Sequence, residues 1–339
     1  MPAPAISVIL PFRDAAPTLG ACLSSIRRQT RRDFECLCID DGSGDEGPAL
    51  VSEQARLDPR IRLLRTRDTG LVAALNFGLR QARAPLAARM DADDLMHPQR
   101  LARQCAAMTA DSGISVLGCR VRAFPEQHLT DGFRAYVNWQ NACVTEAAIA
   151  AELYLESPLA HPSVMLRRET IIAAGGYRDG NFPEDYELWL RLHQAGHRIA
   201  KVAQTLLYWR DHPQRLSRQD PRYARAAFDR LRAAHLAADP RILAARERLV
   251  LWGAGRRTRQ RAAWLLAQGY QPQAWIDIDP RKVGNRIGGV PVVGPAWLRG
   301  RRPRPMVLCY VASHGARPRI DAELARLGYS RGVDYLHVG

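Results

Sequence analysis

Leu86-Ala87-Ala88-Arg89-Met90-Asp91-Ala92-Asp93-Asp94 is the stretch on which the reading of this chain turns. A short apolar run of this length reads as a buried strand, and it breaks at its end into three carboxylates. In open parallel sheets ligands bind beyond the carboxyl ends of the strands, so the acids fall where a ligand is expected. Asp91 and Asp93 flank a single residue, and on extended backbone their side chains project to the same side. Two oxygen ligands with open positions suit Mg²⁺ or Mn²⁺, which complete their shells with water and substrate phosphate. Taken alone, the tripeptide is a weak signal, since acids are common in turns and a solvated loop is then the better reading; its surroundings have to decide.

Upstream, short apolar runs alternate with helical spacing. Ile6 to Leu10 reads as a strand, Leu19, Cys22, Leu23 and Ile26 as a helix, and Phe34 to Ile39 as a second strand ending in Asp40-Asp41-Gly42-Ser43-Gly44. Ile61 to Leu64 and the helix through Leu71, Leu75 and Leu79 complete a βαβ series, the signature of an α/β fold with a parallel sheet. Asp40 and Asp41 thus stand at another strand end in the same half as Asp91. An aspartate there can accept from the imide N–H of uracil, while Ser43 and nearby backbone contact ribose; a turn cap is the plainer use of the same residues.

Downstream, a strand is expected over Ile114 to Val121, an irregular stretch over 122–145, a helix near Glu146 to Tyr154 and a strand at Ser163 to Leu166. Pro183-Glu184-Asp185 opens a helix through Leu188 and Leu192, with proline in the first turn and acids beside the positive helix end. Ala/Arg helices broken at Asp239-Pro240 mark the boundary between a first domain, 1–240, and a second, 248–339. There a new βαβ pattern starts, with Leu249 to Trp252 entering Gly253-Ala254-Gly255, then Ala274 to Ile276 leading to Asp277 and Asp279. The glycines are an incomplete dinucleotide fingerprint, because Thr258 holds the third glycine position.

A chain of 339 residues, 47% hydrophobic and 24% charged, is long enough for two domains and is neither disordered nor fibrous. Its net charge is +15, carried almost wholly by arginine, and residues 248–339 hold 16 cations against 5 anions, +11. Such a field favours nucleic acid, an anionic membrane surface or phosphorylated substrates without choosing among them. No run approaches the ~18 apolar residues of a membrane span, and Met1 to Ile6 lacks the pattern of a signal peptide. The expected location is therefore cytoplasmic, at most peripheral at the inner face of the membrane. The seven cysteines lack zinc-type spacing and are expected to be reduced structural thiols.

Six ordered blocks across residues 5–215 resemble the inverting, GT-A-type glycosyltransferases of family 2: Ser7-Val8-Ile9-Leu10-Pro11-Phe12, Leu23 through Thr30, Asp40-Asp41-Gly42-Ser43, Ala74-Leu75-Asn76-Phe77-Gly78, Arg89 through Asp94, and Phe182-Pro183-Glu184-Asp185-Tyr186-Glu187-Leu188-Trp189. The resemblance implies a GT-A domain followed by a smaller Rossmann-like α/β domain. It implies that Pro11, Phe12, Asp14, Asp40, Asp41, Ser43, Arg89, Asp91, Ala92 and Asp93 line a nucleotide-sugar site. Asp91 and Asp93, with His212 as a further candidate, would hold Mg²⁺ or Mn²⁺ on the donor diphosphate; Asp185 would be the catalytic base and Glu184 would orient the acceptor. A UDP-linked donor and a glycan or lipid-linked acceptor in cell-surface polysaccharide biosynthesis follow as expectations. An anionic membrane surface and a second copy of the chain are the further partners considered; nucleic acid is disfavoured by the lack of an aromatic stacking platform among the C-terminal arginines.

The chain departs from the family pattern at Leu75, where many relatives carry a basic residue, and it lacks the Gln-x-x-Arg-Trp motif of processive synthases, which argues for transfer of a single sugar. Two other classes are the alternatives: an NAD(P)-dependent sugar-modifying oxidoreductase centred on Gly253 to Asp279, and a non-catalytic nucleotide-sugar or nucleic-acid binder.

Overall fold

The computed structural model describes residues 3–66, 70–313 and 315–339. Met1 and Pro2, part of the segment read for a leader, lie outside the described residues. The chain divides into two compact units, 1–149 with 158–220, and 150–157 with 221–339. The division falls earlier than the boundary expected at Asp239-Pro240, so the helix Arg225–Ala238 groups with the second unit.

The first unit is built on an eight-stranded sheet. Strands β1 (Ile6–Phe12), β2 (Phe34–Asp40), β3 (Ile61–Arg65) and β4 (Leu86–Arg89) run parallel in the order β3-β2-β1-β4. Every residue of β1, β2 and β4 is buried, which is why they read as continuous apolar runs rather than alternating ones. The helices Ala16–Arg27, Gly47–Leu57 and Leu71–Gln81 make the crossovers. Gly78 lies where the last of these comes closest to the sheet: a Cβ there would sit 2.7 Å from Ile9 Cγ2 and 2.9 Å from Ile39 Cδ1.

Beyond β4 the sheet becomes mixed. β5 (Leu95–Met96) pairs antiparallel with the long β8 (Arg198–Arg210), which lies parallel to β6 (Ile114–Phe124); β7 (Met165–Arg167) runs antiparallel between β6 and β4. The stretch 122–145, expected to be irregular, contains the helix Asp131–Ala142. Thr130 Oγ1 accepts from the Phe133 N–H as its N-cap, and Phe133, Tyr136 and Val137 at helical spacing turn toward the core. The helix Arg100–Ala110 buries Leu101, Cys105 and Met108. Its Arg100 is fully buried, where Nη2 donates to the carbonyls of Arg89 (2.9 Å) and Val164 (3.3 Å) and Nε to Gln104 Oε1. That guanidinium pins the carboxyl end of β4.

The second unit holds a six-stranded sheet of β9 (Leu249–Trp252), β10 (Ala274–Ile276), β11 (Arg286–Ile287), β12 (Val290–Val293), β13 (Met306–Cys309) and β14 (Tyr335–His337), ordered β11-β12-β10-β9-β13-β14. All pairs are parallel except the β11–β12 hairpin. The first strand lies centrally and the chain winds outward on both sides, a Rossmann-like order. Asp239 caps the helix Pro240–Ala244 and accepts from Tyr154 Oη at 2.8 Å. All seven cysteines are buried and unbridged. No helix among the described residues is long and apolar enough to cross a membrane.

Candidate active site

The carboxyl ends of β1, β2 and β4 lie side by side, and each carries part of the predicted site. After β4, Met90 N–H still donates to the Ile9 carbonyl; the chain then turns, with Asp94 N–H donating to the Asp91 carbonyl at 3.3 Å. Asp91, Asp93 and Asp94 therefore converge through a turn, not through the alternation of a continuing strand. Oxygens of all three lie within 4.8 Å of one another.

Cations surround this cluster. Arg89, 3% exposed, pairs with Asp91. His212, just beyond β8, places Nε2 2.8 Å from Asp93 Oδ2. Arg210 N–H donates to Asp94 Oδ1 and its Nε to the Asp93 carbonyl, both at 2.7 Å. Burial, and then the charge of Asp91, raises the Asp93 carboxyl above its ordinary value, against the opposing pull of His212. Asp94 is raised well above it by complete burial together with Asp93 and Asp91. Its Oδ2 is enclosed with no hydrogen-bond partner among the described residues. A crowded oxygen set with an imidazole beside it, one carboxylate oxygen unsatisfied, is what a small divalent cation would complete. Asp91 and Asp93 are the half-buried members of the set, and Asp94 lies beneath them.

The β1 and β2 ends are tied to each other. Asp14, at φ 49°, donates its N–H to Ser43 Oγ and accepts from the Gly44 N–H at 2.8 Å. Asp40 accepts from the Ser43 N–H at 2.9 Å through Oδ1, while its Oδ2 lies 3.7 Å from Arg65 Nε. Asp41 accepts from the Gly70 N–H at 2.7 Å, holding the start of the helix Leu71–Gln81. Asp41 is thus a turn anchor. Pro11 is buried, and Phe12 and Ala92 belong to the core cluster, so a ligand contact from Phe12 or Ala92 is limited to backbone; the Phe12 carbonyl already accepts from the Asp41 N–H.

A buried polar network lies behind the acidic cluster. Glu184, expected to face an acceptor, is 2% exposed and lies 3.5 Å from His161 Nδ1. His161 Nε2 meets the Tyr177 hydroxyl at 2.9 Å. Burial and Arg89 lower the His161 pKa against the pull of Glu184, and burial pushes the Tyr177 phenol up. Tyr177 feels the charges of Arg89, Asp185, Glu184 and Asp91 together, so both predicted centres, Asp91 and Asp185, fall within its neighbourhood. Asp185 is half-buried at the amino end of the helix Glu184–Gln194, and its Oδ1 accepts from the Tyr186 N–H. Asn76 clamps the backbone of Tyr177 with two bonds, 2.8 and 2.9 Å, and Glu187 joins Arg191, which reaches the carbonyls of Ala174 and Gly176. Tyr177 and Arg100 are site-building residues that the sequence does not single out, since neither belongs to a local motif.

In the second unit Gly253 has φ 112°, and a Cβ there would come within 2.8 Å of both Thr258 and Val311 side chains. Asp277, the acid expected beyond the glycine turn, accepts from the Ala254 and Asp279 N–H groups and from Lys282. Its carboxylate is engaged by the unit's own loops.

A nucleotide-diphospho-sugar transferase fold carrying an acidic cluster at the end of a parallel strand defines the class. The family described as Glycosyl transferase family 2 matches residues 7–173, and the chain belongs to that family. It is 30% identical over 189 residues to the O-antigen biosynthesis glycosyltransferase WbnJ of Escherichia coli, covering 55% of this chain and 71% of that protein. It is 28% identical over 196 residues to the amylovoran biosynthesis glycosyltransferase AmsE of Erwinia amylovora, covering 58% and 71%. Among solved structures, S. aureus TarS residues 1–349 in complex with UDP-GlcNAc superposes with a TM-score of 0.54 at 17% identity, covering 69% of this chain and 67% of that one. The mannosyltransferase PcManGT from Pyrobaculum calidifontis, in complex with GDP-Man and Mn²⁺, gives 0.50 at 21% identity, with 79% and 69% covered. These two likenesses concern the fold.

Proposed function

We propose that this chain is an inverting, divalent-metal-dependent glycosyltransferase that moves one sugar from a UDP-linked donor to a glycan or lipid-linked acceptor in cell-surface polysaccharide assembly, working at the cytoplasmic face of the membrane. The observation that carries the reading is the convergence of Asp91, Asp93 and Asp94 at the end of β4, within the same electrostatic neighbourhood as Asp185. The assembly role draws on the biosynthetic names of AmsE and WbnJ.

Asp91 and Asp93, with His212 alongside, would hold Mg²⁺ or Mn²⁺. When bound, such an ion neutralises charge developing on the departing diphosphate. Arg89 orients the Asp91 carboxylate through their ion pair. Asp40, whose Oδ2 is engaged among the described residues only by a guanidinium 3.7 Å away, accepts from the base imide N–H, and the Asp14–Ser43–Gly44 junction fixes the turn that borders the ribose. Asp185 takes the proton from the acceptor hydroxyl as that oxygen attacks the anomeric carbon from the face opposite the leaving group, which inverts the configuration. Glu184 is enclosed, so its part is to position: through His161 and Tyr177 it holds the first turn of the helix that carries Asp185.

Calorimetric titration of UDP, GDP and their sugar conjugates with and without Mn²⁺ tests this assignment. Metal-dependent binding lost in Asp91→Ala and Asp93→Ala is expected; turnover of donor by those variants at the wild-type rate overturns it.

A further inference from the structure

The amino-terminal edge of the parallel sheet in the first unit, opposite the acidic cluster, carries an open cavity of about 310 Å³ lined by Ser24, Arg27, Arg28, Arg32, Asp58 and Arg60. Arg60 immediately precedes β3, Arg32 lies just before β2, and Arg27 ends the helix Ala16–Arg27. Asp40 stands at the other end of the seven-residue β2, roughly 20 Å away at the rise of an extended chain.

Four guanidiniums face one carboxylate here, and that carboxylate is already engaged. Asp58 takes Arg60 Nε at 2.9 Å and Nη2 at 2.6 Å, and Arg27 Nε lies 3.7 Å from it. Arg60 holds the Asp58 carboxyl below its ordinary pKa, so it remains an anion committed to those two arginines. The negative end of the helix dipole is also answered: the Arg27 carbonyl accepts from Arg32 Nη1 at 3.2 Å and from Arg60 Nη2 at 3.5 Å. Arg60 Nη1 is enclosed with no acceptor among the described residues. Arg28 is exposed, and its side chain has no hydrogen-bond or ion-pair partner among them. The cavity therefore holds uncompensated positive charge and N–H donors, with Ser24 beside them, and its one lining carboxylate is already committed to arginine.

We propose that this cavity is a binding site for a phosphate-group anion, separate from the donor site. Planar forked guanidiniums match phosphate oxygens; the volume admits a phosphate or diphosphate group, and the lining residues include no aromatic ring on which a base could stack. Two sources present that chemistry: a free phosphate or diphosphate, and the headgroup of an anionic lipid.

The test uses the full chain in the presence of a chelator, so that the acidic cluster near Asp91 takes no part. Inorganic phosphate and pyrophosphate are titrated calorimetrically, and flotation is measured with phosphatidylglycerol-containing and phosphatidylcholine vesicles. Arg28→Glu is the probe, because the Arg28 side chain has no partner among the described residues; Arg299→Glu, an exposed reversal in the second unit, is the control for net charge. Wild-type binding of either anion, weakened about tenfold or more by Arg28→Glu and unchanged by Arg299→Glu, is expected. Soluble binding without flotation identifies a free ligand; flotation on phosphatidylglycerol alone identifies the headgroup. Absence of both in the wild type, or binding equally reduced by the two reversals, overturns the proposal.

Discussion

His212 Nε2 lies 2.8 Å from Asp93 Oδ2, joining the end of β8 to the turn after β4 across 119 positions of sequence. The imidazole either ligates the proposed ion directly or orients the carboxylate that does, and both uses weaken when it is removed. His212→Ala is expected to lower Mn²⁺-dependent donor binding about 10- to 100-fold. Titrating Mn²⁺ into protein with saturating nucleoside diphosphate measures this; an unchanged midpoint means that the histidine only braces the turn.

Asp185→Asn keeps the shape of the side chain while removing the proton acceptor. Transfer to acceptor is expected to fall about 10²- to 10⁴-fold in kcat, with donor affinity unchanged. Steady-state transfer assays beside donor titrations separate the two quantities. A variant that loses donor binding instead would place Asp185 on the nucleotide rather than on the acceptor.

Lys201 is buried, donating to the carbonyls of Gln140 at 2.5 Å and Pro158 at 2.8 Å, and burial draws its pKa from 10.5 down to about 8. Below that value both folded and unfolded chains carry the charge, and the folded one bears its desolvation. Between the two values the unfolded chain retains a proton that the folded chain has released, so stability contributed at this site rises with pH. Urea unfolding across that window should show wild type gaining on Lys201→Met by up to about 1.4 kcal/mol per pH unit. Parallel curves for the two proteins would contradict this.

Gly78→Ala forces a methyl group against Ile9 and Ile39 at distances that atoms do not share. An overpacking cost of about 1–3 kcal/mol is expected, read as a lowered Tm. The conservative character of the change makes a neutral result informative: it would mean that both isoleucines can swing aside.

The parallel half of the first unit is legible because its physics is local. β1, β2 and β4 are continuous apolar runs, and acids at their ends mark the ligand edge directly. What escapes is whatever needs a distant partner. Arg100 belongs to no local motif, yet it is fully buried because the carbonyls of Arg89 and Val164, brought in from other elements, and Gln104, one turn along its own helix, satisfy it. His161, Tyr177 and Glu184 form one network from three separate segments, and no spacing in the chain announces it. The helix Asp131–Ala142 is the opposite case, since Thr130 and the Phe133, Tyr136, Val137 spacing carry a readable signal within a polar stretch. Phe12 and Ala92 show a different limit: residues can belong to a motif for packing while their neighbours carry its candidate ligand groups.

Residues 150–157 lie within the first unit's span of sequence but belong to the second unit. There Tyr154 bonds to Asp239, the Gly339 N–H reaches the Tyr154 carbonyl, and Arg331 pairs with Glu152. The second unit is therefore discontinuous in sequence, one of its strips being encoded inside the first. No single cut yields both intact: a gene fragment ending near residue 220 leaves this strip, with buried Leu153 and Tyr154, without the body that shelters it. During synthesis the same strip leaves the ribosome long before most of its unit exists, so its docking must wait until residues 221–339 have been made.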